Sequence, residues 1–287
     1  MRQSIVKIDS HQHFWHYNSV TDDSWMKNGY ELLRRDMLPA ELIDNLKQNS
    51  FDGSILVQHV SDEAINNFYL DLAAKYSAIK GVVAWVGLRE DNVCQRLNYY
   101  AQIPIIKGFR HMVEFELQAH YILDDKFCNG ISKLADYNFT YDILVTNQQL
   151  DDAVNLVAMF PKQKFVLDHL AKPDIKNWHV SGSEFKAWER NIGLLAQKSH
   201  NVYCKLSGFT VLDDWKNISY SKIQPYFEVA VNAFGYDRVM FGSDWPVSLA
   251  VGNYELAVAI LSRFLATTTQ QNIDNVFGIN AVNFYSI

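Results

Sequence analysis

A single (β/α)8 barrel is the fold class this sequence predicts, on three observations. Eight short apolar runs alternate with helical patterns along the chain. No Pro-, Gly- or Ser-rich linker interrupts them. Side chains able to do chemistry cluster at the ends of the runs, where a barrel gathers its active site. A length of 287 residues suits one such barrel, so residues 1–287 are read as one domain.

The strand-like runs are 5–9, 54–58, 82–87, 105–110, 140–145, 164–169, 202–207 and 238–243. Helical spacing marks 62–76, 128–137, 148–160, 183–199 and 223–234; Leu150, Val154, Val157 and Ala158 trace one buried helix face. The fourth and fifth runs are separated by an irregular stretch around 115–123. Residues 16–36 form the longest non-periodic segment and precede a helix that starts after Leu38-Pro39. In a barrel this segment lies over the site, and Trp15, Trp25 and Tyr30 suit either a pocket wall or an apolar wrap around the barrel.

Composition narrows the function. A hydrophobic share of 48%, with 14% aromatics, supplies a large core and excludes disorder. The net charge of −6 argues against nucleic-acid and anionic-membrane partners, although a few local Arg and Lys residues could still bind a small anion. Cys94, Cys128 and Cys204 are odd in number and widely spaced. They fit reduced, mostly buried thiols of a cytosolic protein. The N-terminus has no apolar leader pattern, and no apolar stretch reaches the ~20 residues of a membrane helix. The reading is therefore cytoplasmic, with a small molecule as partner; a homo-oligomer is compatible with it.

The chemistry sits in short motifs. Asp9-Ser-His11-Gln-His13 follows the first run, and strand alternation sends Asp9, His11 and His13 to one side. Two imidazoles so spaced grip one metal ion or one polarised oxygen; the alternative is a surface His pair. The last run ends Gly242-Ser-Asp244-Trp-Pro246, with room at the strand end for a carboxylate that takes a proton from water. The alternative for Asp244 is a helix N-cap. His169 stands in Asp168-His-Leu-Ala-Lys172-Pro173, either as a core histidine or, with Lys172 reaching back, as a site residue. Arg110, in Lys107-Gly-Phe-Arg-His111, suits a carboxylate or a hydroxyl–carbonyl pair, or else a salt bridge inside the barrel. Gln58, His59, His111, Asp142 and Ser207 are further strand-end polar residues, while Trp85, Gln58 and Tyr141 read as wall or core.

His11-x-His13, Asp168-His-x-x-Lys-Pro173 and Phe241-Gly-Ser-Asp-Trp-Pro246, in this order, resemble the amidohydrolase superfamily, in its amidohydrolase 2 branch. Trp85–Arg89, Lys107–His111 and Asn275–Ala281 match it as well, so the resemblance spans about residues 5–285. It lies nearest to sugar-lactone hydrolases acting on L-fuconolactone or L-rhamnonolactone, and to dicarboxylate lactonases. The resemblance implies that His11 and His13 are the first-strand pair, His169 the later-strand histidine, Asp244 the eighth-strand base and Arg110 a substrate-binding residue. The fifth run, Thr140-Tyr-Asp142-Ile-Leu-Val145, lacks the histidine of two-metal members. That implies one weakly held divalent ion, zinc or manganese, or none.

The expectation is a lactonase in which Asp244 activates water while His11, His13 and His169 position it and polarise the oxyanion. Arg110, His111, Lys172 and Trp25 hold the substrate; any single ion sits on His11, His13 and Asp244. The alternatives are a metal-dependent decarboxylase of the same branch and an inactive sugar-acid-binding barrel.

Overall fold

The computed structural model describes residues 6–22, 25–26 and 29–287. Eight parallel strands lie in the order of the chain: β1 (Ile8–Gln12), β2 (Gly53–Val57), β3 (Ile79–Ala84), β4 (Ile106–Met112), β5 (Thr140–Leu144), β6 (Phe165–Leu167), β7 (Val202–Leu206) and β8 (Val239–Phe241). The seam between β8 and β1 is bridged just beyond the strand ends: Asp244 N donates to His11 O at 2.9 Å, and His13 N donates to Trp245 O at 2.8 Å. Among the described residues this is a single (β/α)8 barrel.

The helices expected at 62–76, 128–137, 148–160, 183–199 and 223–234 are Ile65–Lys75, Asp125–Leu134, Leu150–Met159, Ser183–Lys198 and Tyr220–Phe234. The helix after Leu38 is Pro39–Gln48, with proline in its first turn. Two further barrel helices, Val93–Tyr100 and Tyr254–Leu265, bury Val93, Leu97 and Tyr100, and Tyr254, Ala257, Leu261 and Leu265. No helix among the described residues is long and apolar enough to cross a membrane. The cysteines depart from expectation: Cys204 is buried, Cys128 is partly buried and Cys94 is exposed.

The first strand also departs from the sequence reading. It begins three residues later than the run 5–9, and Ile5 lies outside the described residues. Asp9 is level with Ser54 on β2 and Gln12 with Leu56, three steps against two, so a bulge breaks the alternation. Asp9 therefore parts from His11 and His13 and turns to the seam. It accepts from Ser243 N at 2.8 Å, His11 N at 3.2 Å and Tyr254 Oη at 3.1 Å.

The barrel interior is layered. At the N-terminal end Ile8, Ile55, Val57, Val83, Val166 and Met240 pack with Phe284 and Tyr285 of the C-terminal helix Asn280–Tyr285. Above this apolar plug lies a layer of charged side chains, and above that the cleft. Phe109, Tyr141, Phe165 and Leu206 face the other way, into the core between strands and helices.

Candidate active site

The charged layer is built from inward positions of four strands. Lys205 of β7 is fully buried, with Nζ 2.5 Å from Asp142 Oδ2, 3.0 Å from Asp168 Oδ1 and 3.0 Å from His11 Nδ1. Arg110 Nη1 is 3.0 Å from Asp168 Oδ2 and 3.2 Å from His11 Nε2, and its Nη2 donates to Gln58 O. The salt-bridge alternative for Arg110 is therefore realised, yet the same guanidinium also lines the cleft. Two cations against two carboxylates balance a layer in which Lys205, Asp142 and Asp168 are fully buried. Burial pushes Asp168 up, but Lys205, His11 and Arg110 together outweigh it and hold the carboxyl well below the usual range. Burial dominates at Asp142, which rises to about 6 despite Lys205.

Directly above, three imidazoles surround one carboxylate. Asp244 Oδ1 lies 3.4 Å from His13 Nε2 and 3.8 Å from both His11 Nε2 and His169 Nε2. The backbone is shaped to achieve this. Asp244 has φ 56°, and His169, Leu170, Ala171 and Lys172 have φ of 51°, 57°, 59° and 50°, a run in the left-handed region that non-glycine residues rarely enter. Two glycines give clearance: a Cβ on Gly208 would meet His169 Nδ1 at 2.7 Å, and one on Gly242 would meet His11 Cβ at 2.7 Å. Asp244 caps no helix with its side chain; the turn that follows, Val247–Ala250, starts from Pro246.

The proton positions follow from the partners. His13 Nδ1 faces Val57 O at 2.7 Å; a carbonyl only accepts, so Nδ1 carries the hydrogen and Nε2 offers its lone pair to the cleft. His169 Nδ1 is held by Ser207 Oγ at 2.9 Å. Burial pulls His13 down to about 3, His169 to about 4 and His11 well below its ordinary value, so all three rings are neutral at pH 7. Burial raises the Asp244 carboxyl, against the pull of His169, Lys172 and Arg110. A weakened acid of this kind makes a better base toward water.

The cleft, of about 210 Å³, is walled by the first loop and by the β4 and β7 ends. Trp25 and Tyr30 line it, with Tyr30 packed edge-on against Trp215 at 5.0 Å. Trp15 bonds Met37 through both backbone groups at 3.0 Å and closes the loop's base. The loop thus both walls the pocket and wraps the barrel. Burial, then the negative charges of Asp244 and Glu114, push the Tyr30 hydroxyl up to about 12, so it stays a donor. Lys172 also lines the cleft, its Nζ 2.7 and 2.5 Å from the two oxygens of Glu114.

His111 does not join the others. On β4 it alternates with Arg110 and turns outward, where Trp85 Nε1 donates to its Nδ1 at 3.0 Å and its Nε2 meets Glu116 Oε1 at 2.6 Å. It stacks on Tyr121 with ring centres 5.0 Å apart and does not line this cleft, where the sequence reading expects it among the substrate-binding residues. Arg110 shares a face with Gly108, and that alternation already carried the signal. The sequence reading missed Lys205 and Glu114. Lys205 had a signal, a charged residue at an inward position between Cys204 and Leu206; Glu114 follows β4 in a 3-10 turn, Val113–Phe115, and had none.

The donor set can be tested against a divalent ion. His11, His169 and Asp244 each offer a ligand atom within 4.8 Å of one another, and His13 Nε2 lies 3.2 Å from His11 Nε2 and 3.4 Å from Asp244 Oδ1. A lone pair on His13 Nε2 facing Asp244 Oδ1 at 3.4 Å is two acceptors with no donor between them, which a proton, a water or a cation would satisfy. The Nδ1 partners of His13 and His169 are the outer hydrogen bonds that orient metal-binding imidazoles. The residues could hold one divalent ion.

Known proteins share this arrangement of strands and sequence. The family model described as Amidohydrolase matches residues 8–287. An L-fucono-1,5-lactonase of Burkholderia multivorans (strain ATCC 17616 / 249) is 33% identical over 264 residues, covering 90% of this chain and 88% of the relative. An L-fucono-1,5-lactonase of Burkholderia ambifaria is 29% identical, covering 98% and 96%. The crystal structure of an amidohydrolase from Burkholderia multivorans with bound Zn superposes with a TM-score of 0.92 at 30% identity, covering 98% of this chain and 99% of that one. With strand-end histidines and a β8 aspartate gathered over one barrel, and a match that runs from β1 to the last residue, the chain belongs to the amidohydrolase family.

Proposed function

We propose that this chain hydrolyses the ester bond of a sugar lactone, of the L-fucono-1,5-lactone class, to the open hydroxy acid. The observation that carries the reading is Asp244: a buried carboxylate of raised proton affinity, facing three neutral imidazoles at the floor of a cleft that Glu114, Lys172 and Tyr30 also line. Its two full-length relatives named for lactone hydrolysis support the choice of ester.

Asp244 takes a proton from a water as its oxygen attacks the lactone carbonyl. His13, with its hydrogen committed to Val57, accepts a hydrogen from that water and orients it. The carbonyl oxygen gains charge beside Arg110, whose guanidinium is locked by Asp168 and Gln58 and needs no rearrangement to meet it. As the carbonyl re-forms, the ring C–O bond breaks and Asp244 returns its proton to the leaving ring oxygen. Glu114, Lys172 and Tyr30 offer two donors and an acceptor to the substrate hydroxyls, and Trp25 covers a ring face. A divalent ion on His11, His13, His169 and Asp244 would add Lewis-acid polarisation and lower the pKa of water. A lactone is an activated ester, so the residues alone have less to overcome than with an amide.

A decarboxylase of aromatic acids would need an apolar slot and a firmly held ion. The Glu114–Lys172 pair and Tyr30 at this cleft favour a polyhydroxylated ring instead. The test is a pH-indicator screen of aldono-lactones, with L-fucono-1,5-lactone first and spontaneous hydrolysis as the baseline. Proton release at least tenfold above baseline is expected for one member. No turnover across 1,4- and 1,5-lactones, with or without zinc or manganese, would overturn the reading and favour an inactive binding barrel.

A further inference from the structure

Beneath the cleft, His11, Asp142 and Asp168 form a second group whose ligand atoms all lie within 4.8 Å of one another, every one of them buried. Two carboxylates and an imidazole around one point are a donor set suited to a divalent cation. That point is taken by a side chain of this protein. Lys205 Nζ stands 2.5, 3.0 and 3.0 Å from the three ligand atoms. Its ammonium donates to Asp142 Oδ2, pairs in charge with Asp168 Oδ1 and stands within hydrogen-bond distance of His11 Nδ1. Tyr285 closes the cage from below, with Lys205 Nζ 5.7 Å from its ring centre and its hydroxyl donating to Asp142 Oδ2 at 2.9 Å.

We infer that Lys205 is a built-in cation, filling a preformed cation site of His11, Asp142 and Asp168 in place of a divalent ion. The ammonium bridges the two carboxylates, with Arg110 supplying the second positive charge at Asp168, and it engages His11 on the Nδ1 side, so that only Nε2 of that ring faces the cleft. Lys205 is a positioning residue: it touches no cleft-lining space, and it acts through His11. With Lys205 in place, the barrel has room for one ion at most, the one on the cleft side. The inference concerns the layer under the cleft and stands whether or not the cleft takes a sugar lactone.

Lys205→Ala tests it. Removing the side chain leaves two buried carboxylates with Arg110 as their one remaining cation, and the vacated volume is open to a metal. The variant should melt below wild type without metal, rise by about 5 °C or more with added manganese or zinc, and retain one metal equivalent more than wild type after gel filtration. The double variant Lys205→Ala/Asp142→Asn removes a cation and an anion together. It should melt nearer to wild type than the single variant does, and retain no additional equivalent. An unchanged metal count with an ion-insensitive melt for Lys205→Ala would overturn the inference. So would an additional equivalent that persists in the double variant, since it would then sit elsewhere. If Lys205→Ala is insoluble with and without metal, the double variant decides: a folded double variant supports charge balance by Lys205, and an insoluble one refutes it. None of these readouts uses turnover, so failure of the lactonase reading would be seen separately.

Discussion

Asp244→Asn separates catalysis from architecture. The exchange keeps the shape of the side chain and removes its ability to take a proton. Asp244 is 4% exposed and bonds the seam through its backbone, to His11 O and from Ser248 N, so the fold does not depend on the carboxylate. Loss of a general base costs roughly 10²–10⁴ in turnover, which is about 2.7–5.5 kcal/mol of barrier. Stability should move the other way. A carboxyl raised by burial is held more easily protonated, so its stabilising share is present at low pH and is lost as pH rises through its folded value. At pH 7 the wild type carries that burden, and a neutral Asn does not. The expected result is kcat down by two to four decades, KM within a few-fold, and a melting temperature equal to or above wild type. The acidic limb of the wild-type pH–kcat profile, set by the raised Asp244 carboxyl, should be absent from the residual activity. The assay is steady-state turnover by pH indicator, with thermal melts on the same samples. Activity above a tenth of wild type, or a loss that tracks a lowered melting temperature, would refute the assignment of Asp244 as base. Restoration by excess zinc or manganese would show that the aspartate acts chiefly as a metal ligand.

Further outcomes follow from the same geometry. Arg110→Ala strips Asp168 of one cation and leaves Gln58 O without its donor, and should lower stability by about 3–5 kcal/mol in urea unfolding; a change below about 1 kcal/mol would place Arg110 in substrate binding alone. Glu114→Gln should raise KM about tenfold with a smaller change in kcat, because the acceptor it supplies lies away from the reacting carbonyl; a decade lost from kcat at unchanged KM would contradict that placement. Exhaustive dialysis against a strong chelator should leave most of the turnover, given the cation beside the ligand set; near-complete loss, restored by one equivalent of zinc, would make the ion essential. Buried histidines should make the fold acid-sensitive. His13 and His59 at about 3 and His169 at about 4 stay neutral when folded, so their share is full above about 6.5 and is lost as pH falls toward those values. Asp9 and Asp142, raised to about 6, work in the opposite direction over the same window. The net effect near pH 5 is a loss of about 1–3 kcal/mol per pH unit, and urea midpoints that rise from pH 6 to pH 5 would contradict it.

The sequence by itself determined what depends on neighbours along the chain. Eight alternations of apolar run and helical spacing set the barrel, and short motifs put His11, His13, Arg110, His169 and Asp244 at strand ends, because strand ends in a barrel meet at one face. The alternation of His111 with Arg110 carried its outward turn, although the sequence reading set both residues at the substrate. What the tertiary structure decided depends on curvature and register. A bulge in β1, invisible in Asp9-Ser-His-Gln-His, sends Asp9 to the seam and His11 to the interior. Lys205 is legible as a charged residue at an inward position, but its partners are not, because only barrel closure brings residue 205 beside residues 11, 142 and 168. Glu114 meets Lys172 only because the left-handed run 169–172 carries the lysine over the cleft. Pairings such as these join residues dozens to more than two hundred positions apart, and their distances are set by how the sheet closes on itself, a quantity that no local pattern of side chains encodes.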